Sequence, residues 1–152
     1  MVRLAVGTVL TLVLVAASAP DQVQRDPARV AVVVNADVPG DSLTTGTVRR
    51  IYLRRQRFWR DGTLVAPVNL PATSAVRDAF SLAVLGRSPR DMVEFWNDAY
   101  FHGIQPPPVL DSQRAVLLYV ARTPGAVGYV EASFLPPPDQ RTGYRLVLMV
   151  EH

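Results

Sequence analysis

The chain has 152 residues, 49% of them hydrophobic, which is enough to bury the core of one domain and too little for two. Its net charge is +3, and all 16 basic residues are arginines, a choice that favours planar, two-pronged contacts with phosphate or carboxylate over point-charge contacts. Cysteine is absent, which excludes disulfides, thiolate metal sites and a lipid-modified cysteine.

Arg3 precedes an apolar run from Leu4 to Ala17 that closes on the small residues Ala16, Ala17, Ser18 and Ala19. That is the charged, apolar and cleavage sequence of a signal peptide over residues 1–19, and the run is short for a transmembrane helix. Cleavage after Ala17 or after Ala19 satisfies the small-residue rule, and an uncleaved N-terminal anchor is the alternative. The expectation is an exported protein, periplasmic or extracytoplasmic, with a flexible lead-in at 20–29 and one domain over 30–152.

Val30–Asn35 is a β-branched run, the pattern of a strand buried on both faces. Pro39 and Gly40 turn the chain, and Ser42 is the expected N-cap of a helix carrying Leu43, Thr47 and Ile51 along one face. Gly46 weakens that helix. Arg49, Arg50, Arg54, Arg55, Arg57 and Arg60 cover its remaining surface and the loop after it. Leu64–Asn69 reads as a second strand, interrupted by Pro67.

Ser74 opens a helix with Val76, Phe80, Ala83 and Val84 inward, and Gly86 stops it. Ser88 is expected to cap the next, with Pro89 at its first position, Asp91 in its first turn, and Met92, Phe95, Trp96, Ala99 and Tyr100 as the apolar face. Asp111 or Ser112 starts a further helix that buries Ala115, Leu118, Val120 and Ala121, and Pro124-Gly125 ends it. Ala126–Val130 and Tyr144–Val150 are the last two strands. Helices alternating with strands predict an α/β domain around a mostly parallel sheet flanked by helices.

The residues that carry chemistry are few. Thr73 and Ser74 stand at a helix start, which offers free N–H groups to an anion and equally serves as a plain N-cap. Ser74, His102 and Asp98 invite comparison with a hydrolase triad, but no G-x-S-x-G turn surrounds Ser74. His102 and His152 are the two histidines and have no partners at metal-ligand spacing. No catalytic residue, metal or cofactor is therefore expected. The arginine cluster, interleaved with Tyr52, Phe58 and Trp59, has the composition of a nucleic-acid surface, but export argues against nucleic acid. An anionic lipid, a polyanion or an acidic partner remains, beside a merely solubilising face.

Leu43–Phe80, reading LTTGTVRRIYLRRQRFWRDGTLVAPVNLPATSAVRDAF, resembles the pattern "LS…L..IF.G….W.DG….P…R.D.SGT…F" of the extracytoplasmic phosphate-binding proteins of ABC transporters. Pro124–Val130, PGAVGYV, is similar to that family's "PGAIGY" element, and Phe101-His102-Gly103 with Pro106–Pro108 resembles its "F.G…P" connector. The resemblance covers about residues 30–131 and implies one lobe of a type 2 periplasmic-binding-protein fold. Such proteins clamp their anion between two hinged lobes and are not enzymes.

The resemblance also implies an anion position at Thr73, Ser74, Ala75, Val76 and Arg77, for phosphate or another oxyanion, and an ABC permease or other envelope protein as partner. Aligned on Phe80, Leu70 stands where the family has an anion-gripping arginine, Ala75 where it has glycine and Val76 where it has threonine. Ser74 alone matches, with Thr73 and Arg77 as compensation. The alternative is a ligand-free interaction or sensory module that works through Arg49, Arg50, Arg54, Arg55 and Arg57. A homodimer that rebuilds a two-lobed clamp is a further expectation.

Overall fold

The computed structural model describes residues 29–151, so the expected signal peptide and nearly all of the lead-in lie outside the described residues. Four strands form one sheet: β1 (Arg29–Asn35), β2 (Ala66–Pro67), β3 (Ala126–Glu131) and β4 (Tyr144–Glu151), in the order β2-β3-β1-β4. Helices α1 (Thr45–Tyr52), α2 (Ala75–Phe80), α3 (Val93–Phe101) and α4 (Gln113–Arg122) surround it. The α/β class stands.

The sheet is mostly antiparallel, which corrects the expectation of a mostly parallel one. β1 pairs antiparallel with both β3 and β4, and only β2 with β3 is parallel. Five consecutive valines and alanines of β1, Val30–Val34, are buried as expected. That burial comes from helices on both sides of the sheet, and it does not depend on strand direction. Hydrophobic continuity therefore reported layers, not polarity.

Neighbouring residues of β3 show the two layers. Gly128 faces α4, where a Cβ would stand 2.5 Å from Val116 Cγ1 and 3.1 Å from Val120 Cγ2. Tyr129, pointing the other way, stacks on Phe80 of α2 with ring centroids 3.8 Å apart, and Tyr52 of α1 meets the same Phe80 edge-on at 4.7 Å. Glycine at 128 is thus what lets α4 lie directly on the sheet. Gly125, at φ 73, lies in the turn before β3 with its α-carbon against the backbone of Leu64.

β2 is shorter than the expected Leu64–Asn69 strand. Ala66 N–H donates to Gly125 O and Val68 N–H to Val127 O, both at 3.0 Å, so the alternate residue Pro67 turns its missing donor away from β3 at the sheet edge. Leu64 and Asn69 form only single bridges, to Phe58 and Val109.

Helix boundaries moved for local reasons. Thr44, not Ser42, caps α1, its Oγ1 accepting from Thr47 N–H at 3.1 Å, while Leu43 N–H is taken by Val147 of β4. α2 widens into a π-helical stretch, Ser81–Leu85, closed by Gly86 at φ 72. Ser88 and Asp91 do exchange capping bonds, Ser88 Oγ donating to Asp91 Oδ2 at 2.7 Å, but only around a turn. α3 proper begins at Val93. Tyr100 and Leu118, expected inside, are exposed.

Candidate functional site

The helix start at Ser74 lies just beyond the end of β2. Val68–Leu70 continue inward, a turn closed by Ser74 N–H to Pro71 O at 2.9 Å follows, and α2 begins. Because β2 and β3 are parallel, the exit of β3 at Glu131 lies at the same end of the sheet. The antiparallel partners bring Arg29 and Glu151 to it as well, joined by an ion pair of 3.1 Å.

Ser74 Oγ accepts from Arg77 N–H at 3.4 Å, the geometry of a weak N-cap. The N–H groups of Ala75 and Val76 precede the first intrahelical bond and have no partner within the helix. Ala75 and Thr73 are exposed, and Ser74, Val76 and Arg77 are half-buried. Arg77 folds back along the chain so that Nη1 donates to Leu70 O at 2.7 Å. It has no carboxylate partner among the described residues.

Leu70 is 1% exposed and part of the core. Its N–H donates to Tyr129 Oη at 3.3 Å, and that phenol donates to Asn69 Oδ1 at 3.0 Å. Burial pushes the Tyr129 phenol up to about 12, against smaller downward pulls from the Leu70 bond and the Arg77 charge. A hollow of about 670 Å³ adjoins the helix start, lined by Thr73, Asp78, Ser88, Arg90 and Asp91 among others. Its two carboxylates outnumber its one guanidinium.

The arginine face lies elsewhere. Arg49 and Arg50 occupy the last turn of α1, where positive charge suits the helix dipole. Arg49, Arg50, Arg55, Arg57 and Arg60 are exposed. Arg54 is half-buried at φ 60, the left-handed position that ends α1; burial, then the neighbouring Arg57, lowers its pKa. Tyr52 and Trp59, by contrast, are scaffold. Tyr52 Oη donates to Val68 O at 2.9 Å and Trp59 Nε1 to Gly125 O at 2.9 Å.

No protein-family model matches the chain, and no curated protein matches it. Solved structures do. An ABC-type phosphate transport receptor from Vibrio cholerae matches 80% of this chain over 47% of its own, with a TM-score of 0.60 and 19% identity. A putative phosphate ABC transporter substrate-binding protein with bound phosphate from Clostridium perfringens matches 84% over 57% of its own, at a TM-score of 0.56 and 18% identity. A possible phosphate binding protein from Planctomyces limnophilus matches 83% over 54%, at a TM-score of 0.52 and 11% identity. The chain has the fold of the phosphate-type substrate-binding proteins. It spans about half the length of the structures it matches, the size of one lobe.

On the substrate-binding-protein fold, the structure brings Thr73, Ser74, Ala75, Val76 and Arg77 together at one helix start and sets Arg49–Arg57 apart from it. Ser74 and His102 are not joined: Ser74 is bonded to Arg77, and His102 Nδ1 bonds the backbone oxygen of Asp98 at 2.9 Å. No group of acidic and histidine residues that could hold a metal is found among the described residues, and none of their helices is long and apolar enough to cross a membrane. Sequence reasoning missed the Asn69–Tyr129–Leu70 chain, because its members lie about sixty positions apart. It also missed Asn35, a buried amide whose Nδ2 donates to Val120 O at 2.9 Å and ties β1 to the end of α4. An asparagine closing a valine strand was the available signal.

Proposed function

We propose that the protein is an exported solute-binding-type domain that takes phosphate or a similar oxyanion at the Ser74 helix start, with Arg77 replacing the arginine absent at position 70. The observation that carries this reading is the Arg77 guanidinium, held by Leu70 O at 2.7 Å beside the helix start with no carboxylate partner among the described residues. One of its five N–H donors is used in that contact, which leaves the fork available to an anion. Ser74 Oγ and the Ala75 and Val76 N–H groups complete a partial cradle.

Affinity is weak on this account. A single lobe leaves the anion in water, where each hydrogen bond displaces one to solvent. Asp78 and Asp91 in the adjoining hollow oppose a second negative charge. An ABC permease or another envelope protein supplies the remaining contacts, or a second copy does.

The test is thermal unfolding of the full chain in phosphate, sulfate and chloride at matched ionic strength. Phosphate at tenfold over its dissociation constant should raise the Tm by about 3–6 °C. Ser74→Ala and Arg77→Ala should each abolish most of that rise, whatever they do to the Tm in chloride. Equal responses to all three salts would remove the anion site.

A second reading is favoured by a separate observation. Five exposed arginines, at 49, 50, 55, 57 and 60, have no carboxylate within ion-pair distance among the described residues. That face suits an interaction or sensory module that meets an anionic partner independently of Ser74.

A further inference from the structure

The arginine face contains a hollow of about 330 Å³ between the loop after β1 and the first turns of α1. Thr44, Thr47, Arg50 and Arg60 line it, with Gly40 on one side and Trp59 on another. It lies at the end of the sheet opposite Ser74. β1 runs antiparallel to β3, so the loop leaving Asn35 sits beside the start of β3, and the Trp59 indole is tied there to Gly125 O.

Three features set this hollow apart from an ordinary solvated surface. Its charged lining is entirely positive: Arg50 and Arg60 contribute to it and no carboxylate does. The neighbouring Asp61 is turned into its own loop, accepting from Thr63 N–H at 2.9 Å. The Arg50 guanidinium is held in place, Nη2 donating to Thr47 Oγ1 at 3.1 Å, while Nη1 packs over Gly46, 3.8 Å from where a Cβ would stand. Thr47 Oγ1 is in turn bonded to Thr44 Oγ1 at 3.0 Å, so a hydroxyl chain braces the arginine from below.

We infer that this hollow is a binding site for a small, multiply charged oxyanion, a polycarboxylate or a phosphorylated molecule, gripped between Arg50 and Arg60. The α1 terminus is not what carries the site, since Thr44 Oγ1 already occupies the Thr47 N–H. The site rests on two arginines, neither paired with a carboxylate among the described residues, that line one partly open hollow. Its size is at the lower end for small-molecule pockets, room for a compact ligand and not for a folded surface. Trp59 and Leu43 give it a rigid apolar wall, and a planar guanidinium braced before binding loses little entropy on contact. The inference narrows the arginine-face reading to one ligand class and is independent of the Ser74 site.

The test is a two-dimensional amide NMR titration of the ¹⁵N-labelled full chain with citrate and, separately, pyrophosphate, against sodium chloride at equal ionic strength. Saturable shifts are expected at Gly40, Ser42, Thr44 and Thr47 and at the Trp59 indole for at least one of the two anions. The double variant R50A/R60A should weaken binding at least tenfold. R114A/R122A, which removes the same charge from exposed positions of α4, should leave it unchanged. Equal loss in both double variants, or shifts that never saturate with either anion, would overturn the site. Shifts confined to Ser74–Arg77 would overturn it too while supporting the helix-start site, so the two readings fail separately.

Discussion

At the scale of single residues, the proposed anion site depends on Arg77, whose guanidinium reaches back seven positions to the Leu70 carbonyl. Leu70 itself places an apolar group in the core. The family resemblance marked Leu70 as a departure and offered Arg77 as compensation, but did not show the contact, because an i to i−7 reach across a turn has no periodic signature. The same neighbourhood buries two phenols, and their chemistry yields a pH dependence. Burial holds the Tyr129 proton to about 12 and raises Tyr52 well above the usual phenol range. Above pH 10 the unfolded chain sheds these protons while the native chain keeps them, so the unfolded state binds fewer and stability falls with rising pH. The stabilisation from Tyr129 is complete below about pH 10 and is lost on passing through about 12, a change on the order of 2 kcal/mol. Urea midpoints measured from pH 9 to 12 should fall in the native protein. Tyr129→Phe should start lower, having orphaned Asn69 Oδ1 and Leu70 N–H, and descend less steeply. A flat native profile to pH 12 would contradict the burial argument.

At the scale of elements, turn chemistry was easy to read and partnership was not. Gly86, Gly125 and Ser112 stop or cap the segments that their residue types announced. The start of α1 differs by two residues because Ser42 is the stronger cap type in isolation, whereas the Leu43 N–H is taken by Val147 of β4 and the helix begins after Thr44. Strand direction had no local signal either. Short loops and valine runs serve parallel and antiparallel sheets alike when helices cover both faces. Gly46 remains the weak point of α1. It is exposed, and a Cβ there would meet Arg50 Nη1 and Thr44 Oγ1 at 3.8 Å, ordinary contact. Gly46→Ala should therefore stabilise the protein by about 0.5–1 kcal/mol through helix propensity alone. Chemical denaturation checks this, and a loss of stability would mean that the first turn of α1 is not the helix described.

At the scale of the molecule, order and spacing of motifs were more informative than any single motif. LTTGTVRRIY, PGAVGYV and the connector between them pointed to a phosphate-type substrate-binding fold, and solved structures at 11–19% identity share it over about four-fifths of the chain. Scaffold positions such as Ile51, Phe80 and Gly125 were legible because core packing and backbone conformation restrict residue type. The proposed anion positions were not, because Leu70, Ala75 and Val76 depart from the family pattern and no local rule says whether Arg77 restores what they removed. The most direct measurement is the calorimetric phosphate affinity of Ala75→Gly/Val76→Thr beside that of the unaltered chain. At the first turn of α2 Ala75 is exposed and Val76 is half-buried against the core, so the exchange opens N–H groups and adds a hydroxyl at the loss of one apolar contact. If the helix start binds an oxyanion through Ser74 and Arg77, the unaltered chain should bind phosphate selectively over sulfate, and the double variant about tenfold more tightly, roughly 1.4 kcal/mol. Absence of selective phosphate heat from both proteins would contradict the account.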